Sequence, residues 1–109
     1  MIAYPAYLWF NTPMSITIKV NLYATFKLIA GQKKFTLLLP EQTTVQKAVM
    51  LFLESVPILR PHWLNQQDEL HAHVHTFLNG IDISTLPSGL ETRVTDGDTL
   101  EFIPPVAGG

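Results

Sequence analysis

The chain of 109 residues contains no cysteine. That excludes a disulfide frame, a thiolate nucleophile and a cysteine-ligated metal. Basic charge is also sparse: seven lysines and arginines against nine acids leave a net charge of −2 with the histidines neutral. The basic residues are scattered, so they form no stripe of the kind a nucleic-acid surface needs. No apolar run approaches the roughly 20 residues that span a bilayer. The apolar opening, Met1 to Pro13, has no basic flank and carries Pro5 early, which suits a signal peptide poorly. A glycine-rich phosphate loop, a nucleophile elbow and a zincin helix are all missing. These absences predict a cytoplasmic, non-enzymatic chain with no nucleic-acid and no membrane partner.

What is present is enough for a core. The apolar fraction is 47%, and a single domain of this size should bury roughly 60–70% of its unfolded surface. Residues 1–14 read as an atypical leader or arm, 15–103 as the domain and 104–109 as a Gly-Gly tail. Tyr4, Tyr7, Trp9 and Phe10 crowd between Pro5 and Pro13 without a period. Two readings of that leader stand: an extension upstream of a start at Met14, or an arm packed on this domain or on a partner.

From Ile16 the pattern alternates. Ile16, Ile18, Val20 and Leu22 share one side, and Thr17, Lys19, Asn21 and Tyr23 the other, as in a half-buried strand. A turn at Ala30-Gly31-Gln32 and a second strand, Lys33 to Leu39, predict an antiparallel hairpin. Thr43 followed by Gln46 matches a capping box. Val45, Ala48, Val49, Phe52 and Val56 then form an apolar stripe at helical spacing, widened by Met50, Leu51 and Leu53. Pro57 disfavours helical geometry at Val56 and so ends the helix. Residues 57–69 read as irregular, with Trp63 and Leu64 folded back as a lid. Residues 71–79 alternate again and end at Asn79-Gly80, a tight-turn pair. Ile81 to Ile83 is a short strand or strap, and Asp96-Gly97 turns the chain into a last strand, Thr99 to Ile103. The element order predicts an α+β roll, a mixed sheet packed on one main helix. The first strand is the expected neighbour of the last, in parallel, although periodicity does not set that pairing.

Two clusters invite chemistry. His71, His73 and His75 fall on one face of the expected strand, with His62 in the preceding loop. Residues two apart on a strand are roughly 6.5–7 Å apart, too far for three on one straight strand to close around a zinc ion at about 2.0–2.1 Å per bond. No metal site is expected there, and the same parity makes Phe77 a candidate partner contact if that face is outward. Asp96, Asp98, Glu91 and Glu101 gather near the last strand, but Asp96-Gly97-Asp98 reads as turn chemistry.

The most informative segment is the end: Pro104-Pro105-Val106-Ala107-Gly108-Gly109. Prolines resist helix and favour extended backbone. Glycines give a slim end whose carbonyl carbon is unshielded. Extended, Val106 to Gly109 reaches roughly 13 Å. A carboxylate is a poor electrophile and must be activated before acyl transfer. With no ATP site in this chain, activation falls to another enzyme, which would spend ATP. Sulfide, a thiol or an amine could then attack the acyl-adenylate.

Asp96 to Gly109 closely resembles the end of the MoaD/ThiS family of ubiquitin-like sulfur carriers, and Leu78-Asn79-Gly80-Ile81-Asp82 and the strand from Ser15 resemble it more weakly. The resemblance covers Ser15 to Gly109. It implies a β-grasp (ubiquitin-like) fold and no bound cofactor. It also implies adenylation and thiocarboxylation at Gly109, beside Gly108, by an E1-like adenylyltransferase and a sulfur donor. The Phe-x-Pro-Pro-Val-x-Gly-Gly form resembles the small subunit of molybdopterin synthase, which implies insertion of the tail into the large subunit and sulfur delivery in molybdenum-cofactor synthesis. Ile103, Pro104, Pro105, Val106 and Ala107 would then be the partner-binding tail. Cysteine or thiamin synthesis, or attachment to lysines as a modifier, are the alternatives within the same family.

Overall fold

In the computed structural model the described residues are 2–3 and 14–105. Alternation builds the sheet. β2 (Ser15–Leu22) buries every second residue, Ile16, Ile18, Val20 and Leu22, and β3 (Lys34–Pro40) buries Phe35, Leu37 and Leu39. They pair antiparallel from Ser15↔Pro40 to Asn21↔Lys34. β6 (Thr99–Ile103) lies on the other side of β2 and runs parallel to it, Lys19↔Thr99 through Leu22↔Phe102. β4 (His75–Leu78) pairs antiparallel with β6, and β5 (Ile81–Asp82) with β4. The backbone of β1 (Ile2–Ala3) adds a parallel edge beside Thr36 and Leu37. The order of this six-stranded mixed sheet is β1-β3-β2-β6-β4-β5.

One face of the sheet is covered by the main helix, α2 (Val45–Ser55). Its buried residues are Val45, Ala48, Val49, Leu51, Phe52 and Leu53. The helix stops where Pro57 requires it, with Val56 as its C-terminal cap. The N-terminal cap is one residue later than the sequence suggested. Thr44 Oγ1 accepts from the Lys47 amide at 3.1 Å, whereas Thr43 is buried and its hydroxyl donates to the Pro40 carbonyl at 2.6 Å. The cause is tertiary: Val45 N–H donates to the Thr92 carbonyl and Val94 N–H to that of Thr43, which clamps the approach strand and sets the frame.

The expected hairpin turn at Ala30-Gly31-Gln32 is a helix terminus instead. Between β2 and β3 lies α1 (Ala24–Ala30), and Gly31 closes it in the left-handed region, φ 76°, donating to the Lys27 carbonyl at 2.9 Å. Glycine fills that cap position because it carries no Cβ. At the start of the helix Ala24 also has positive φ, 51°, a cost of about 1–2 kcal/mol for a residue with a side chain. That bend lets the chain leave the sheet abruptly after Tyr23, whose amide still donates to Phe102.

The segment expected to be irregular is also helical: a 3-10 turn at Pro57–Leu59 runs into the short α3 (Arg60–Trp63). Trp63 is more than a lid. It is 0% exposed and its ring centroid lies 4.4 Å from that of Phe102, 5.4 Å from Phe26 and 5.7 Å from Phe52. Its indole Nε1 is buried without a hydrogen-bond partner, a penalty of roughly 1–3 kcal/mol that the ring contacts must outweigh. Among the described residues, no helix is long and apolar enough to cross a membrane.

Because Trp63 joins α1, α2 and β6 through ring contacts, Trp63→Ala should cost about 3–5 kcal/mol. Urea unfolding should show a lower midpoint with the slope unchanged. A loss under about 1 kcal/mol would place the residue back on the periphery.

Candidate functional site

The site is the end of β6 and the sheet face beside it. β6 starts at a fixed point. Asp98 accepts from the Thr95 amide at 2.7 Å and from Asn79 Nδ2 at 2.9 Å, and Asn79 Oδ1 accepts from the Thr99 amide at 2.9 Å. Asp96 accepts from the Thr17 amide at 2.8 Å, while Gly97 N–H donates to the Thr17 carbonyl. The Asp-Gly-Asp turn and the Asn79-Gly80 turn, with φ 51° and 83°, are thus bonded to each other and to β2. These carboxylates hold backbone amides, as the turn reading expects.

From that point β6 is paired on both sides. Leu100 and Phe102 are buried, and Glu101 and Ile103 face outward and are half-buried. Ile103 pairs with His75, the last rung of the ladder. Pro104 is half-buried and Pro105 exposed. Neither has an amide hydrogen, so neither can donate a further rung to β4. Val106, Ala107, Gly108 and Gly109 lie outside the described residues.

Phe77 is on the outward face as expected, half-buried, opposite Glu101 on one side and Asp82 on the other. The histidines depart from expectation. Only His75 is on a strand; His71 and His73 precede it in a turn, which brings their rings into a stack 4.5 Å apart. Val74 N–H donates to His71 O at 3.1 Å, the bond that closes this turn and breaks the alternation. Among the described residues no group of three or more histidine or carboxylate side chains is placed to hold a metal.

Sequence reasoning gave no role to Tyr23. It continues the outward parity of β2, and its hydroxyl donates to Glu101 Oε2 across the strand boundary. The Lys33 ammonium lies 4.7 Å from the centre of the Tyr23 ring. Tyr23, Glu101, Ile103 and Phe77 therefore form an aromatic and apolar patch with one carboxylate in it, next to the tail. The parity that placed Glu101 and Ile103 together was the available signal; the aromatic at the end of β2 was the missing half.

Several known proteins share this architecture. A family model described as the ThiS family matches residues 20–109. Small archaeal modifier protein 3 of Haloferax volcanii is 32% identical over 92 residues, covering 84% of this chain and 98% of that one. The solution structure of small archaeal modifier protein 1 from Methanosarcina acetivorans is similar with a TM-score of 0.75 at 27% identity, over 88% of this chain and 99% of the other. A chain in the crystal structure of the Amycolatopsis orientalis BexX/CysO complex is similar with a TM-score of 0.65 at 26% identity, over 84% and 99% respectively.

The hydrogen bond to Glu101, burial and the carboxylate's charge together hold the Tyr23 phenol above its ordinary ionisation range. A raised folded value means the protonated form is favoured by folding. The stabilisation is therefore present below the unfolded value near 10 and is lost as pH rises through the folded one. Ultraviolet titration should show one phenol ionising late. Glu101→Gln should bring it back toward pH 10, and an unchanged titration in that variant would refute the pairing.

Proposed function

The chain belongs to the ThiS family, and we propose that it is a ubiquitin-like sulfur carrier whose Gly109 carboxylate is the reacting group. The carrying observation is that β6, held between β2 and β4, ends at Ile103 and continues directly into Pro104-Pro105 and the Gly108-Gly109 terminus. The strand sets where the tail begins, and Pro104 and Pro105, which have no amide hydrogens, donate no further rung.

In the first step a Gly109 carboxylate oxygen attacks the α-phosphorus of ATP on an E1-like partner, and pyrophosphate leaves. Hydrosulfide, or an equivalent sulfur nucleophile from a donor, then attacks the acyl carbon and AMP leaves, giving the thiocarboxylate. Adenylation is needed because a carboxylate oxygen is otherwise no leaving group. This chain supplies the acyl group and the recognition surface; the catalytic groups belong to its partners. The BexX/CysO complex illustrates a similar chain assembled with another protein.

The destination is molybdopterin synthesis, with the tail inserted into the large subunit of the synthase. Support for it lies in the Phe102-Ile103-Pro104-Pro105-Val106-Ala107-Gly108-Gly109 form of the tail. Ordering the tail costs roughly 1–2 kcal/mol of backbone entropy per residue, so the acceptor must enclose it. A second reading, attachment of Gly109 to lysine amines as a protein modifier, is favoured by the name of the Haloferax relative, a modifier protein. The two readings share the adenylate and differ in the nucleophile that follows.

Incubated with its activating enzyme, ATP and a sulfur source, the full chain should gain the mass of one oxygen-to-sulfur exchange, and deletion of Gly109 should abolish it. Isopeptide-linked Gly109 on cellular proteins would establish the modifier reading. Absence of the sulfur exchange from the intact chain would end the carrier reading.

A further inference from the structure

The Gly-Gly terminus has no side chains to read, so a partner that activates it must recognise the body of the domain. The outward face beside the tail offers an asymmetric surface for that purpose. Lys19, Lys33 and Lys34 stand toward the β2–β3 side. Glu101 stands on β6, opposite Asn21 on β2 and Phe77 on β4, and Asp82 lies beyond Phe77. The charge therefore changes sign across the face within a few strand spacings.

Glu101 is the distinctive member. Ordinarily an outward glutamate explores several rotamers, and fixing it costs free energy when a partner binds. Here the Tyr23 hydroxyl already holds Oε2, and the Lys33 ammonium lies over the same ring, 4.7 Å from its centre. Among the described residues, Oε2 is the Glu101 oxygen that carries a hydrogen bond, leaving Oε1 to accept from outside. Phe77 and Ile103 flank the carboxylate, so a docked partner would exclude water from it. A charge-assisted hydrogen bond is stronger in such a setting. A planar guanidinium suits it better than an ammonium, because it can donate to Oε1 while lying against the Phe77 or Tyr23 ring.

We infer that Glu101, pre-set by Tyr23, is the ionic anchor of a docking face for the adenylating partner, and that the partner presents an arginine to it. The inference rests on the carrier reading above and adds the chemistry by which the partner is recognised. The Tyr23 hydroxyl acts through Glu101 and is a positioning group. The lysines on the β2–β3 side fix the orientation, since a partner turned half-way round would set its arginine against Lys19 and Lys34.

The test is ATP–pyrophosphate exchange with the full chain and the E1-like adenylating enzyme of the same source, varying carrier concentration and ionic strength. Glu101→Gln should raise KM about tenfold with kcat unchanged, the scale of losing one desolvated ionic contact. Tyr23→Phe should raise it about threefold. For the unaltered chain KM should rise with salt, and that rise should flatten in Glu101→Gln, a response that a merely structural role would not produce. Glu54→Gln, exposed on α2, should leave KM and its salt dependence unchanged. Equal KM and equal salt dependence in Glu101→Gln and the unaltered chain would overturn the anchor and leave the carrier reading standing, even if transfer to a later acceptor were affected. If the unaltered chain supports no exchange at all, both readings fall.

Discussion

The parallel pairing of β2 with β6 is the constraint on which the rest depends. Parallel neighbours cannot be joined by a tight turn, so everything from Tyr23 to Asp98 is one long crossover that must return in register. The crossover carries the main helix across one face of the sheet and supplies β3 and β4 as the outer partners of the pair. Phe102 is where the two requirements meet. Its backbone serves the ladder, and its ring stacks on Phe52 at 6.3 Å and packs tilted against Trp63 at 4.4 Å. A shift of β6 by one residue would reverse its faces, burying Glu101 and expelling Phe102 from the aromatic cluster.

That register is defended at the end of β6 remote from the tail. The Asp96-Gly97-Asp98 and Asn79-Gly80 turns are the segments most easily mistaken for chemistry, because they concentrate carboxylates and an amide. Their side chains are committed to backbone amides and to one another. What they deliver is position: with Thr99 fixed, Ile103 and the outward Glu101 follow at set distances along an extended strand. The face beside the tail is thus specified by residues at the opposite end of β6.

Much of this was legible in the residues, and the failures have physical causes. β2, β6 and the buried stripe of α2 follow from periodicity, because each is a segment with one wet and one dry side, and the Asn79-Gly80 turn follows from its residue pair. Helix α1 was hidden because Gly31 suits a turn and a helix cap equally well, and because Phe26 is the one fully buried residue in its seven. The cap of α2 fell one residue out because Thr43 and Thr44 are alike in sequence and were distinguished by backbone bonds from residues 92 and 94. The histidine alternation was a false strand signal closed into a turn. Trp63 sits between Pro61 and a polar run, with no periodic neighbours to announce that it completes the core. The candidate site was legible as a tail and a parity, Glu101 with Ile103. Its tyrosine was not, since Tyr23 and Glu101 are separated by 78 residues.

The placement of β6 inside the sheet also has a mechanical meaning. A pull on the tail by an enzyme drawing it into a narrow channel is felt first by the rungs that join β6 to β2 and β4. The force runs along the strand, so those rungs are loaded together, in shear, on both flanks. An edge strand attached to the same tail would share that load with one neighbour only. The domain can accordingly be gripped by its terminus and withstand the tug without unravelling.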